Sequence, residues 1–560
     1  MTQLKRIGIK IISICIYVLL MNVLQSQNSK VEVEKIDALF SAWNQGKTPG
    51  ASVSVIKNGT VIFKKAYGLG NIENNIPNTT SSLFNIASNS KQFTAFAALL
   101  LEEEGKLSLE DDIRKYIPEL PDFGYTIKVK NLAQHTHGIR GVIYLLGMAG
   151  WNIEDVITKK DVFKLFKQQK ELNFPPETDF LYNNSGYILL AEIISRVSGQ
   201  SFHMYLRDHI FMPLEMRNTV VFEDNSKIIN NVSYPYYYDG KSYKVAIRNS
   251  KDIVGPTGIR TSTEDLSKWL KNFENPKVGN KKMITRLITP TVLKNGDTLS
   301  YALGQVVHSY KNHKVISHGG SDAGYKSQIL RFPDEKLSIV VLTNNGSLNA
   351  EEKAYRIADL YLSNDLKSLK SEANTKVLST VAATEEILNK YEGKFQLQPG
   401  FVLEFNQKEG SLFITATGQG TLPLETLSET QFRIRRIDAI ITFIKDKDGT
   451  VNTLSFDHNG AVNSAKRITY DIDTSILEKY TGIYYSEELN TYYELLIQDG
   501  QLIASHQRQD NTKLTALDST KFTGNTWFFG ILDFIIYKDD VSGFKVSSER
   551  VKNLWFEKRI

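Results

Sequence analysis

Phe84-Asn-Ile-Ala-Ser88-Asn-Ser-Lys91-Gln-Phe-Thr-Ala-Phe-Ala-Ala-Leu-Leu-Leu101 reads as a polar turn running into an apolar helix that ends near Gly105. A Ser is followed three residues later by a Lys. On a helix, i and i+3 share one face a turn apart, so the Lys91 amine can reach the Ser88 hydroxyl, and the helix N-terminus adds positive potential that favours an oxyanion. A helix this apolar is buried all round, so a Lys in its first turn calls for a polar cleft beside it. The plainer alternative is that Ser88 caps the helix and Lys91 is solvated. The same spacing occurs at Ser54-Val-Ile-Lys57, but within a strand, where i and i+3 point to opposite faces and cannot cooperate.

Working outward, Ala51-Ser-Val-Ser-Val-Ile56 and Thr60-Val-Ile-Phe-Lys64 flank Asn58-Gly59, a strong hairpin signal. Helical patterns are expected at 88–104, 110–117, 160–170, 187–199 and 263–273. Strands return at 301–308, 314–318, 325–332 and 338–343, before a helix at about 350–363. Sheet at both ends with helices between predicts a mixed α/β domain over 30–365. Ser363 to Thr384 turns to Ser, Lys, Asn, Thr and Ala, which predicts a linker over 366–384.

The remainder is an internal repeat. Leu388-Asn-Lys-Tyr391-Glu-Gly393-Lys-Phe395 recurs as Leu477-Glu-Lys-Tyr480-Thr-Gly482-Ile-Tyr484, and Leu427-Ser-Glu-Thr-Gln-Phe432 recurs as Leu517-Asp-Ser-Thr-Lys-Phe522. Alternating runs such as Phe401-Val-Leu-Glu-Phe405 and Tyr493-Glu-Leu-Leu-Ile497 carry the period of antiparallel strands. Two β-barrel-like modules, 385–472 and 473–560, fit this pattern; one larger β-sandwich is the alternative.

The 560 residues are 41% hydrophobic and 23% charged, which excludes disordered, collagen-like and disulfide-stapled classes. Of the net +5, three charges (Lys5, Arg6, Lys10) precede an apolar run, Ile11 to Met21. The near-balanced remainder provides no basic stripe for nucleic acid. Residues 1–26 read as an export signal, with an uncleaved anchor as the alternative. After cleavage no stable membrane span is expected, and the protein would be secreted or periplasmic. The single Cys, Cys15, lies within that segment, so the mature protein would have no thiol chemistry. His135 and His137 lack a partnered carboxylate at metal spacing. No metal and no cofactor are expected.

Two further motifs follow in order, Tyr182-Asn-Asn184-Ser-Gly-Tyr187 before a helix and His318-Gly319-Gly320-Ser321 at the end of a β-rich run. With these in hand, the sequence resembles the serine β-lactamase and penicillin-binding-protein superfamily, in its branch with class C β-lactamases, family VIII-type esterases and D-aminopeptidases. That family uses SxxK, Tyr-x-Asn, and Lys-Thr-Gly or His-x-Gly, matched here by Ser88/Lys91, Tyr182/Asn184 and His318/Gly320. Leu132-Ala-Gln-His-Thr-His-Gly-Ile139 and Gly258-Ile-Arg-Thr-Ser-Thr-Glu-Asp265 also look like family segments. The implied fold is a β-lactamase-like α/β domain with an antiparallel sheet and a helical subdomain, followed by two lipocalin-like β modules.

Acyl-transfer chemistry assigns expected roles. Ser88 needs an adjacent base. A desolvated Lys91 or a Tyr182 phenolate beside it serves, and the pair is coupled. Asn184 orients Lys91 and the acyl side chain. The resemblance places the oxyanion hole at the backbone N–H groups of Ser88 and Ser321, with Gly319 and Gly320 lining the substrate. His318 stands where β-lactamases have a carboxylate-holding Lys. A His is largely neutral at pH 7, which weakens an anionic anchor. The expected function is an exported serine hydrolase acting on esters, amides or D-amino-acid peptides, with a small-molecule or peptide substrate for which the cell wall is one candidate source. The alternatives are a β-lactamase or D-Ala-D-Ala carboxypeptidase, and a catalytically silent scaffold. Oligomeric state is left open. Gly141 to Trp151 is a lid or an ordinary loop, and Trp527-Phe528 is barrel core, a binding patch or an insertion toward the active site.

Overall fold

The computed structural model describes residues 32–362 and 384–559, apart from positions 45, 153, 225, 247–249, 399–400, 418–420, 435–438, 459–460, 469 and 471. The export signal at 1–26 and linker positions 366–383 lie outside the described residues. No described helix is long and apolar enough to cross a membrane.

The Asn-Gly turn behaves as its composition requires. Asn58 and Gly59 both take positive φ, 51° and 71°, the geometry that matches strand twist in a two-residue hairpin. It joins β1 (Ala51–Lys57) to β2 (Thr60–Tyr67). Four late strands, β3 (Val306–Tyr310), β4 (His313–Asp322), β5 (Tyr325–Phe332) and β6 (Leu337–Thr343), complete one antiparallel sheet in the order β3-β4-β5-β6-β1-β2. The two ends of the domain meet where Ala51 pairs with Thr343 and Lys57 with Leu337.

Both faces of the sheet are covered. Ile339 and Val341 of β6 join the cluster under the helix Ala350–Leu362, while Val340 and Leu342 join the larger cluster containing Phe93 and Phe96. That second cluster encloses α1 (Lys91–Glu103), buried on nearly every face as its composition predicts. Packed against it is α2 (Ser185–Ser198), which starts directly after the Tyr182-Asn183-Asn184 segment.

The repeat builds two separate bodies, which removes the single-sandwich alternative. From Gly393 to Arg467 nine strands form one sheet whose end strands, Leu422–Pro423 and Glu425–Thr426, are separated only by Leu424, so the sheet is nearly closed. From Gly482 to Lys558 eight strands form a closed barrel.

Candidate active site

Ser88 sits in a 3-10 turn, Ala87–Ser90, immediately before α1. Ala87 is held at φ 48°, a left-handed conformation that costs a non-glycine residue about 1–3 kcal/mol and persists only where neighbours enforce it. The neighbours are visible. The Ala87 N–H donates to Asn85 Oδ1 at 2.9 Å, Ser327 Oγ of β5 donates to the Ile86 carbonyl at 2.7 Å, and Asn89 Nδ2 donates to Ser327 Oγ at 2.9 Å. β4 lies close over this turn because Gly320 has no side chain. A Cβ there would stand 2.3 Å from Ser327 Oγ and 2.4 Å from the Ile86 carbonyl oxygen. Ser88 itself is partly exposed, within reach of a reactant.

Lys91 is fully buried. Its Nζ reaches Ser88 Oγ at 3.1 Å, Asn184 Oδ1 at 2.9 Å and the Pro256 carbonyl at 3.1 Å, and lies 4.8 Å from the centroid of the Tyr182 ring. Burial drives its pKa well below the ordinary value of 10.5, the Arg550 charge pushes the same way, and Asp322 opposes. Tyr182 shifts oppositely. Burial raises its phenol to about 12, against the pull of its hydrogen bond with Ser88 and of Arg550. The second SxxK pair stays apart, as strand geometry requires: buried Ser54 shares a hydrogen bond with Ser267 at 2.8 Å.

His318 is buried in the same cleft, its ring centroid 6.1 Å from that of Tyr182. Its pKa falls to about 4, through burial and then the nearby Lys91, so at pH 7 it is neutral. Partners fix its tautomer. Nδ1 lies 2.6 Å from the Gly319 carbonyl, which can only accept, so Nδ1 carries the proton and Nε2 accepts from Tyr301 Oη at 3.1 Å. Tyr301 Oη is in turn 3.2 Å from His135 Nε2, while His135 Nδ1 receives the Asn183 N–H at 3.5 Å. This chain braces the segment carrying Tyr182 against the strand carrying His318.

β3 pairs with β4 only from Ser317 back to His313. From His318 to Asp322, no described strand of the sheet covers that edge of β4, so Gly319, Gly320 and the exposed Ser321 border an open edge.

Three participants went unassigned in the sequence. His135 stands out in the sequence for its likeness to a family segment and as a metal-ligand candidate without a partner, neither of which gives it this role, and Tyr301 reads like any strand residue. Arg550 had no signal at all. It comes from the turn between the strands Asp540–Ser547 and Leu554–Lys558 of the closed barrel. Its guanidinium stands 5.5 Å from the Tyr182 ring centroid and 5.8 Å from that of Tyr144, with Glu549 Oε1 at 3.3 Å. Gly141 permits this approach: its N–H donates to the Arg550 carbonyl at 2.8 Å, and a Cβ on it would lie 2.8 Å from Arg550 Cβ.

A family model described as Beta-lactamase matches residues 34–362. The chain belongs to the β-lactamase family. This β-lactamase-family hydrolase is 25% identical over 450 residues to Penicillin-binding protein 4* of Bacillus subtilis (strain 168), covering 77% of this chain and 98% of that one. It is 30% identical over 367 residues to Protein flp of Staphylococcus aureus (strain MW2), covering 63% of this chain and 68% of that one. Among solved structures, the octameric penicillin-binding protein homologue from Pyrococcus abyssi superposes with a TM-score of 0.55 at 24% identity, over 85% of this chain and 98% of that one. That likeness extends the shared fold beyond the β-lactamase domain.

Proposed function

We propose that the protein is an exported serine hydrolase that cleaves esters, amides or D-amino-acid peptide bonds through an acyl-enzyme on Ser88. The observation that carries this reading is the buried Lys91 amine held 3.1 Å from a reachable Ser88 Oγ. A neutral amine has two N–H donors, which Asn184 Oδ1 and the Pro256 carbonyl take up; its lone pair then faces the Ser88 hydroxyl. The opposed pKa shifts favour Lys91 as base and Tyr182 as proton donor.

In the proposed sequence Lys91 takes the Ser88 proton as Oγ attacks the carbonyl carbon. The oxyanion is held by the backbone N–H groups of Ser88 and Ser321, and losing either donor is worth about 100-fold or more in rate. Collapse breaks the bond to the leaving group, which receives its proton from Tyr182, itself reprotonated from Lys91. Water then repeats the cycle on the ester, releasing the acid and restoring the Ser88 hydroxyl. Asn184 positions Lys91. His318, with both nitrogens engaged, shapes the cleft without supplying charge.

A fluorophosphonate or penicillin probe tests the mechanism: labelling lost in Ser88→Ala supports it, and no labelling of the wild type supports the silent scaffold. A panel of p-nitrophenyl esters, D-amino-acid p-nitroanilides and nitrocefin tests the substrate, with nitrocefin expected to be the poorest. The alternative of a D-Ala-D-Ala carboxypeptidase has one observation in its favour, the Arg550 cation beside Tyr182, where a terminal carboxylate could bind. Residues 1–26 belong to the reading as a signal, tested by N-terminal sequencing of the exported protein.

A further inference from the structure

The two β modules carry the same landmarks in the same register, yet their interiors agree at one end only. At that end the first has Tyr391, Phe432 and Phe443 in ring contact, and the second has Tyr480, Phe522 and Phe534. At the other end they diverge. Phe395 faces Leu403, which faces Ala416. In the second module Tyr484 faces Tyr493, whose ring centroid lies 4.8 Å from that of His506. Leu454 faces Ala465 in the first, whereas Phe544 faces Phe556 in the second, stacked at 4.9 Å.

Smaller side chains on the same strands leave space. A cavity of about 710 Å³ is lined on the module side by Phe401, Leu403, Ile414, Leu422, Ile434 and Phe456. Its opposite wall is polar: Gly319 to Ser321 of β4, Lys326 and Gln328 of β5, and the Gly346–Glu351 segment.

We propose that this cavity binds a single unbranched alkyl chain, with the polar head of the amphiphile at the wall formed by Ser321, Ser347 and Asn349. Three arguments converge. The volume lies within the range of about 300–1,000 Å³ typical of small-molecule sites. The side chains that line the cavity from the module are all hydrocarbon, so this wall disfavours water and polar groups. The nearly closed nine-stranded sheet of the first module is close in size to the small barrels that hold one small ligand, which suits a linear chain. The inference goes beyond the hydrolase reading: the cavity borders the proposed substrate cleft at Gly319 to Ser321, but alkyl binding is expected whether or not Ser88 is acylated.

Calorimetric titration of the full-length protein with saturated fatty acids from octanoate to tetradecanoate tests it. The expected result is saturable one-to-one binding that tightens about fourfold per methylene until the chain fills the cavity and then levels off. Importing the sibling module's pair, as Leu403→Tyr with Ala416→His, should weaken binding at least about tenfold, and Ile434→Phe fills the same space by another route. Thermal melts identify which variants are folded. Lack of saturable binding by every chain, affinity indifferent to chain length, or undiminished binding in a folded filling variant would each overturn the proposal. Penicillin labelling of Ser88 is scored separately, so a failed hydrolase reading and a failed alkyl site are distinguishable.

Discussion

The second β module meets the catalytic domain with a filled barrel, whereas the first faces it across a cavity. In the second, Gln509 Nε2 donates to the Gly147 and Trp151 carbonyls at 2.9 and 3.1 Å, and Phe528 packs where a Cβ on Gly147 would be only 2.9 Å away. The buried Arg140 of the catalytic domain reaches Glu488 at 2.7 Å and the Lys552 and Asn553 carbonyls at 3.1 and 3.3 Å. A duplicated backbone has thus been put to two uses. Large side chains make one copy a wedge that delivers a charge to Tyr182, and small ones make the other a container.

Cutting the weld should produce the largest effect. Arg140→Ala leaves Glu488 buried without its guanidinium, and breaking such a pair costs about 3–5 kcal/mol. Denaturant unfolding measures this directly, and turnover should fall with it because the turn bearing Arg550 loses its anchor. The control in the first module is Arg467, half-buried and bonded only within that module, whose Nε donates to the Val451 carbonyl at 2.6 Å and Nη2 to the Lys390 carbonyl at 2.8 Å. Arg467→Ala should cost about 1–2 kcal/mol and leave turnover unchanged. Equal losses of activity in the two variants would erase the contrast.

Aromatic truncation sharpens the comparison on packing alone. Phe528 is buried at the interface, so Phe528→Ala should destabilise by about 3 kcal/mol. Half-buried Phe401, lining the cavity, should cost about 1 kcal/mol or less as Phe401→Ala. Paired thermal melts check the order.

How much of this could be read from residues alone follows from the range of the forces involved. The SxxK helix, the Asn-Gly hairpin and the barrel repeat depend on local periodicity, and all three are where the sequence places them. Gly319-Gly320 reads as the end of a strand, yet β4 runs on to Asp322, because Gly320 serves close backbone approach to Ile86 rather than a turn. Gly141 to Trp151, expected as a lid or loop, contains the helix Val142–Met148, clamped by the second barrel. Trp527-Phe528 lies at that interface, with Trp527 edge-on to Tyr144 at 4.9 Å, rather than in barrel core. Contacts between residues some 400 positions apart leave no periodic trace, which is why Arg550 was invisible.

The charge delivered by the second barrel makes the finest test, because its two halves should act with opposite sign. In the proposed mechanism Lys91 must be unprotonated to accept the Ser88 proton, so activity rises with pH through the lowered Lys91 pKa. Arg550 helps to lower it. Arg550→Gln removes that repulsion, raises the Lys91 pKa and moves the acid limb of the kcat/KM profile to higher pH. A shift of about one unit would mean about tenfold less activity on the acid side. Glu549 partly compensates Arg550 at 3.3 Å and accepts from Tyr144 Oη at 2.6 Å. Glu549→Gln keeps an acceptor for Tyr144 but leaves the guanidinium uncompensated, so the limb should move to lower pH, by roughly half a unit or less at this exposed position. Both shifts should shrink in high salt, since Glu549 and Arg550 are partly open to solvent. Limbs displaced in the same direction, or not at all, would show that the barrel turn supports the cleft by packing and that its charge does not reach Lys91.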